Sequence, residues 1–102
     1  MGFSKAHLYD KEDQVTSFFA RAFAHPARLE ILRKLKRDGP SSVEEISLYH
    51  PLSKPTMSEH LKILRTAHLI TYKEKYPSII YSLDGKNVTK AEEYLKSYFK
   101  SI

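Results

Sequence analysis

The chain has 102 residues, with 17 Lys and Arg against 12 Asp and Glu, a formal charge of +5. That length suits one domain. Hydrophobic content of 41% with 28% charged residues is globular composition, and no apolar run approaches the roughly 18 residues of a membrane span. The lack of cysteine excludes disulfides, thiolate metal sites and cysteine nucleophiles. The amino terminus, MGFSKAHLYDKEDQ, has no apolar signal region, and Ala6 stands where a myristoylation motif needs Ser or Thr. The expectation is a small, soluble, basic, cytoplasmic protein with no membrane association.

The spacing of apolar residues predicts a first helix over 10–24, Asp10 its cap, with Val15, Phe18, Phe19, Ala22 and Phe23 on one face. Pro26 suits the first turn of a second helix, whose Ala27, Ile31, Leu32 and Leu35 step by three and four until Gly39-Pro40 ends it. Ser42-Val-Glu-Glu45 is a capping box for a short third helix through Ile46 and Leu48. After the turn His50-Pro51-Leu52, Ser53 caps a fourth helix with Met57, Leu61 and Leu64 inward, ending near Ala67. Residues 69–75 and 78–83 are rich in β-branched and aromatic side chains and flank Tyr76-Pro77, which predicts a two-stranded hairpin. Asp84-Gly85 breaks the second strand, and a last helix over 87–101 carries Val88, Ala91, Leu95, Tyr98 and Phe99 on one side. The expected fold is mainly α with a small antiparallel β-hairpin, in the order ααααββα. With no repeat or linker, residues 1–102 read as a single domain.

The charge is unevenly spread. Its surplus lies in 28–38 (Arg28, Arg33, Lys34, Lys36, Arg37 against Glu30 and Asp38) and in 53–76 (Lys54, Lys62, Arg65, Lys73, Lys75 against Glu59 and Glu74). Such runs are usually solvated faces, but clustered cations also displace counterions from a polyanion. The motif beneath them decides. A short helix, a turn and a second helix over 42–67, followed by a basic hairpin over 69–83, have the layout of a winged helix-turn-helix, whose second helix enters the major groove. On its outer face, Lys54 suits guanine O6/N7, Glu59 suits cytosine N4 and Ser58 suits either. Ser53, Thr56, His60, Lys62, Arg65, Lys73 and Lys75 are the candidates for backbone contacts. Ser58, Glu59 and His60 are consecutive on a helix and point apart, so they form no nucleophile–base chain. With no nucleotide loop or metal motif either, an enzyme is not expected.

The runs FARAFAHPARLEILRKL, VEEI, LSKPTMSEHLKILRTAHLI and IIYSL resemble the ArsR family of bacterial winged-helix repressors over roughly residues 15–84. The resemblance implies a homodimer built from the first and last helices that binds an imperfect palindrome in double-stranded DNA. It implies base reading by Lys54, Pro55, Ser58 and Glu59. The chain departs from the family in having Pro51 in place of a turn glycine, Tyr76-Pro77 at the wing tip, and Glu59 where a neutral polar residue is common. The family's thiolate metal site needs Cys-x-Cys where this chain has Ser42, Val43 and Glu44. Its carboxy-terminal site needs histidines, and none follows His68. No metal and no cofactor is therefore expected, and His7, His50, His60 and His68 read as capping, packing or surface residues. Val15, Phe18, Phe19, Ala22, Val88, Ala91, Leu95, Tyr98 and Phe99 are the candidate dimer interface. Any one of them serves equally well in the domain's own core. The signal is left open: an unidentified small-molecule effector, a partner protein or abundance. The competing function is a protein-interaction winged helix indifferent to DNA, which Glu59 and the modest net charge favour.

Overall fold

The computed structural model describes residues 8–48 and 50–102. The amino-terminal signal and myristoylation expectations, and His7, lie outside the described residues. The elements are α1 (Lys11–Ala22), α2 (Pro26–Asp38), β1 (Ser41–Ser42), α3 (Val43–Ser47), α4 (Lys54–Thr66), β2 (Ile70–Lys75), β3 (Ser78–Leu83) and α5 (Gly85–Ser101). The hairpin and the helices fall where the periodicity puts them, and β1 is an addition. Two residues are too few to show an alternation, yet they pair antiparallel with β3, Ser41 opposite Tyr81 and Ser42 opposite Ile80. The sheet order is β1-β3-β2. No helix among the described residues is long and apolar enough to cross a membrane.

Helix ends follow local chemistry. Asp10 stands at the α1 N-cap but makes no side-chain cap bond, which corrects the capping role expected of it. Gln14 fixes this end instead, its backbone N–H donating to the Asp10 carbonyl at 3.0 Å and its side-chain amide to the Tyr9 carbonyl at 2.9 Å. The helix closes at Ala22, two residues before the expected end. With Pro26 in the first turn of α2, His25 becomes its N-cap, and its Nδ1 accepts from the Ala27 N–H at 3.0 Å. Gly39 ends α2 at φ 77°, ψ −163°, a region open essentially to glycine alone. The capping box forms as expected: Ser42 Oγ accepts from Glu45 N–H, and Glu45 Oε1 accepts from Ser42 N–H at 2.9 Å. Hydrogen bonding to Ser42 holds the Glu45 carboxyl below its ordinary pKa. The end of α4 is a Schellman turn, in which Leu69 N–H reaches the Leu64 carbonyl and His68 N–H the Arg65 carbonyl. His68 takes the left-handed position at φ 60° that glycine usually fills. Asp84 caps α5 through Asn87 N–H at 3.1 Å, starting it two residues earlier than expected.

The core lies between α2, α3, α4 and the root of the hairpin. Ile31, Leu35, Ile46, Met57, Leu61, Leu64, Leu69, Ile70 and Tyr81 are buried there. Truncating any of the large aliphatic members is expected to cost about 2–5 kcal/mol. Phe19, Ala22 and Ala91 belong to the same core, and α1 packs on α5 with the Phe19 and Tyr94 rings 6.1 Å apart. These three therefore leave the candidate dimer interface, since their contacts are already filled within the chain. Val15 and Val88 are half-buried against the same core, whereas Phe18, Tyr98 and Phe99 stay 45%, 41% and 67% exposed.

Candidate nucleic-acid interface

The recognition helix α4 divides cleanly. Met57, His60, Leu61 and Leu64 face inward, while Lys54, Pro55, Ser58, Glu59, Lys62 and Arg65 are exposed. Lys54, Ser58 and Lys62 are successive i, i+4 positions and form one ridge. Ser53 Oγ donates to Thr56 Oγ1 at 2.9 Å and accepts from Thr56 N–H at 3.3 Å, closing the helix start. Both hydroxyls are engaged within the chain but solvent-facing, and the N-terminal turn carries the positive end of the helix dipole. The ion pairs among the described residues lie elsewhere, at Lys34–Asp38, Arg37–Asp38 and Lys96–Glu92, and His50 Nδ1 stands 3.3 Å from Glu30 Oε2.

The wing follows α4 directly in the chain. Strand alternation puts Lys73 and Lys75 on one side of β2 and Tyr72 and Glu74 on the other. Arg65, from the last turn of α4, lies 4.5 Å above the Tyr72 ring, and Tyr72 pairs across the sheet with Tyr81. Burial raises the Tyr81 hydroxyl above its ordinary pKa. At the tip Tyr76 is 98% exposed, joined to Pro77 through a cis bond. Ser78 Oγ donates to Glu44 Oε1 at 2.9 Å, tying β3 to α3.

Two expectations are corrected. His60 is only 6% exposed and its ring lies against α2, so it cannot meet a phosphate and drops out of the backbone contacts. The basic block 28–38 also loses two members to the interior. Arg28 is 7% exposed, its Nε and guanidinium nitrogens donating to the Ala22 and Arg21 carbonyls and bonding His60 Nδ1. Lys34 is buried against Asp38 at 2.7 Å and Ser41 at 3.4 Å, and hydrogen bonding to Lys34 holds the Asp38 carboxyl low. Sequence reasoning missed both because a formal charge is ordinarily solvated. It also missed His25, although Pro26 in the first helical turn marks its predecessor as the cap.

Between α1 and α4 lies an open cleft of about 260 Å³, lined by Phe18, Arg21, Glu59, Lys62, Ile63 and Thr66. Among the described residues no three His, Asp or Glu side chains converge as a metal site. At the family's thiolate positions, Ser42 is committed to the capping box, so these residues do not fit a soft metal.

A helix-turn-helix followed at once by a β-hairpin makes this a winged helix-turn-helix protein. The sequence profile of the bacterial regulatory proteins of the arsR family matches residues 25–72, and the chain belongs to the ArsR family, a family of DNA-binding transcription regulators and not of enzymes. It is 38% identical over 64 residues to the transcriptional repressor SdpR of Bacillus subtilis, across 63% of this chain and 70% of that one. It is 36% identical over 64 residues to the HTH-type transcriptional regulator Rv2034 of Mycobacterium tuberculosis, across 63% of this chain but only 59% of the relative. The structure is similar to that of NolR from Sinorhizobium fredii, with a TM-score of 0.70 and 26% identity, covering 97% of this chain and 96% of that chain.

Proposed function

We propose that the chain is a homodimeric repressor that binds a palindromic operator through α4 and the wing. The carrying observation is the exposed Lys54–Ser58–Lys62 ridge on α4, followed along the chain by the exposed Lys73 and Lys75 of the wing, all outside the ion pairs seen elsewhere. In this reading Lys54, Pro55, Ser58 and Glu59 face base edges, while Ser53, Thr56, Lys62, Arg65, Lys73 and Lys75 hold the backbone. Glu59 repels phosphate, so its position favours reading a cytosine amino group or a reduced affinity. Phe18, Leu95, Tyr98 and Phe99 supply the remaining apolar face for a second copy, because half-sites one helical turn apart call for a two-fold protein. The cleft beside Glu59 and Lys62 is the place for a small effector, since an occupant there lies next to the base-reading residues.

The test is selection of bound sequences from a random DNA pool, with the salt dependence of the winner. Lys54→Ala is expected to relax preference at one base pair by about 1–3 kcal/mol. Lys73→Ala is expected to weaken all sequences alike and flatten the salt slope by about one unit. Equal losses on all sequences for Lys54→Ala overturn the base-reading assignment. Failure to enrich any sequence replaces the reading with a protein-docking winged helix.

A further inference from the structure

Three side chains meet where α1, α2 and α4 converge. The Arg28 guanidinium bonds the Ala22 and Arg21 carbonyls at the end of α1, at 3.1 and 3.0 Å, and reaches His60 Nδ1 on α4 at 3.1 Å. The His25 ring, capping α2, lies 4.4 Å from the His60 ring at a 48° tilt. His60 Nε2 is buried with no hydrogen-bond partner.

The protonation state follows from chemistry. A guanidinium has donors only, so His60 Nδ1 must accept and the ring's proton sits on Nε2. His25 Nδ1 likewise accepts, from Ala27 N–H, which puts its proton on Nε2. Neither ring offers a lone pair to a metal, and the Arg28 cation stands beside them. What the cluster can do is respond to acid. A second proton on His60 must go to Nδ1, where it meets the Arg28 donor. A hydrogen bond then becomes a contact of two cations 3.1 Å apart.

We infer that Arg28, His25 and His60 form a latch that seats the recognition helix on α2 only while His60 is neutral, so that acidification lowers affinity for DNA. His60 directly follows Ser58 and Glu59, and expulsion of its ring displaces the turn that carries them. The charged and titratable groups around it act mostly in one direction. Burial, then His25 and Arg28, and more weakly His50, hold the imidazole below its ordinary pKa, and only Glu59 opposes them. The inference rests on the DNA-binding reading. Its sign is the opposite of the general one, because charging exposed histidines beside a polyanion strengthens binding.

The experiment measures affinity for the selected operator from about pH 7.5 to about pH 5.5, in wild type and in His60→Gln, which offers Arg28 an amide oxygen as acceptor and takes no proton in this range. Wild-type affinity is expected to fall by up to about tenfold per pH unit once acid begins to protonate His60, which must lose that proton to bind. His60→Gln is expected to stay within about threefold of wild type at the upper pH, one hydrogen bond replacing another, and to lose the fall. In the free protein, the His60 imidazole is expected to titrate together with backbone amide shifts over 27–29 and 57–62 and with loss of protection of the Arg28 Nη1 protons that face it. Wild-type affinity that holds or rises on acidification overturns the latch, as does an equal fall in His60→Gln. If no DNA is bound at any pH, the DNA reading fails and the free-protein spectra decide the latch alone. If His60→Gln does not fold, the wild-type spectra decide, and an Arg28 signal unchanged through the His60 titration refutes it.

Discussion

Replacing Arg28 by alanine is expected to be among the most damaging single changes in this chain, although it removes a formal surface charge from a basic protein. The guanidinium is 7% exposed and its hydrogen bonds join three helices. Hydrogen bonds to a charged group contribute about 1.5–3 kcal/mol each, and an acceptor left buried costs its desolvation. The three do not add fully. Arg21's carbonyl keeps the Ala24 N–H at 3.2 Å, and a vacated guanidinium site admits some water. About 3–4 kcal/mol remains, which corresponds to a fall in Tm of roughly 15–25 °C for a domain of this size. Arg28→Lys is expected to recover less than half, because one ammonium cannot span three acceptors on two helices. Urea unfolding gives the midpoint and slope for each variant, and amide exchange at 19–23 shows whether the end of α1 frays. A loss below about 1 kcal/mol for Arg28→Ala with an unchanged slope, or full rescue by lysine, refutes the reasoning.

Phe19→Ala is expected to lower stability by about 3–5 kcal/mol, while Phe99→Asp leaves the fold intact and shifts sedimentation from dimer to monomer; a stable dimer of Phe99→Asp removes that residue from the interface. His68→Gly is expected to raise stability by about 0.5–1 kcal/mol in thermal unfolding, since glycine holds the left-handed position without a side-chain penalty. Stability is expected to fall with acid in two stages. The first begins as pH drops through the ordinary imidazole value of 6.5, where the unfolded chain takes a proton that folded His60 resists, and it is absent in His60→Gln. The second comes below the ordinary carboxyl values of 4.5 and 3.8, as Glu45 and Asp38 are protonated out of their hydrogen bonds. A single acid transition shared by wild type and variant contradicts the assignment to His60.

The parts legible in the sequence are those in which local chemistry and periodicity agree. Ser42 with Glu45, Ser53 before Lys54, the Met57–Leu61–Leu64 stripe and the β-branched 78–83 run each name their element without tertiary help. The outer ridge of α4 follows from the same stripe, since what is not inward is outward. The parts that stayed hidden depend on which surface a second element covers. Phe18 and Phe19 are adjacent apolar residues, and only the docking of α5 puts one in the core and leaves the other 45% exposed. Arg28 and Lys34 look like their solvated neighbours until α4 and β1 close over them. His60 has the inward spacing of the Met57–Leu61–Leu64 stripe, three residues after Met57 and four before Leu64, but its polar type disguised it. Its burial is set by Arg28, 32 positions away in sequence.

The middle place of β3 in the sheet has a consequence for exchange of parts between relatives. The wing is usually pictured as an appendage that can be lengthened, recharged or transplanted. Here one strand of the hairpin is also the partner of Ser41 and Ser42, and Ser42 is at once a sheet residue and the cap of α3. Glu44 of that helix holds Ser78 at the near end of the same strand. A transplanted wing would therefore bring its own demands on residues 41–44, and a mismatch there would tilt the first helix of the helix-turn-helix. The heritable module in this fold is the wing together with the four residues that precede its β3 strand by more than thirty positions.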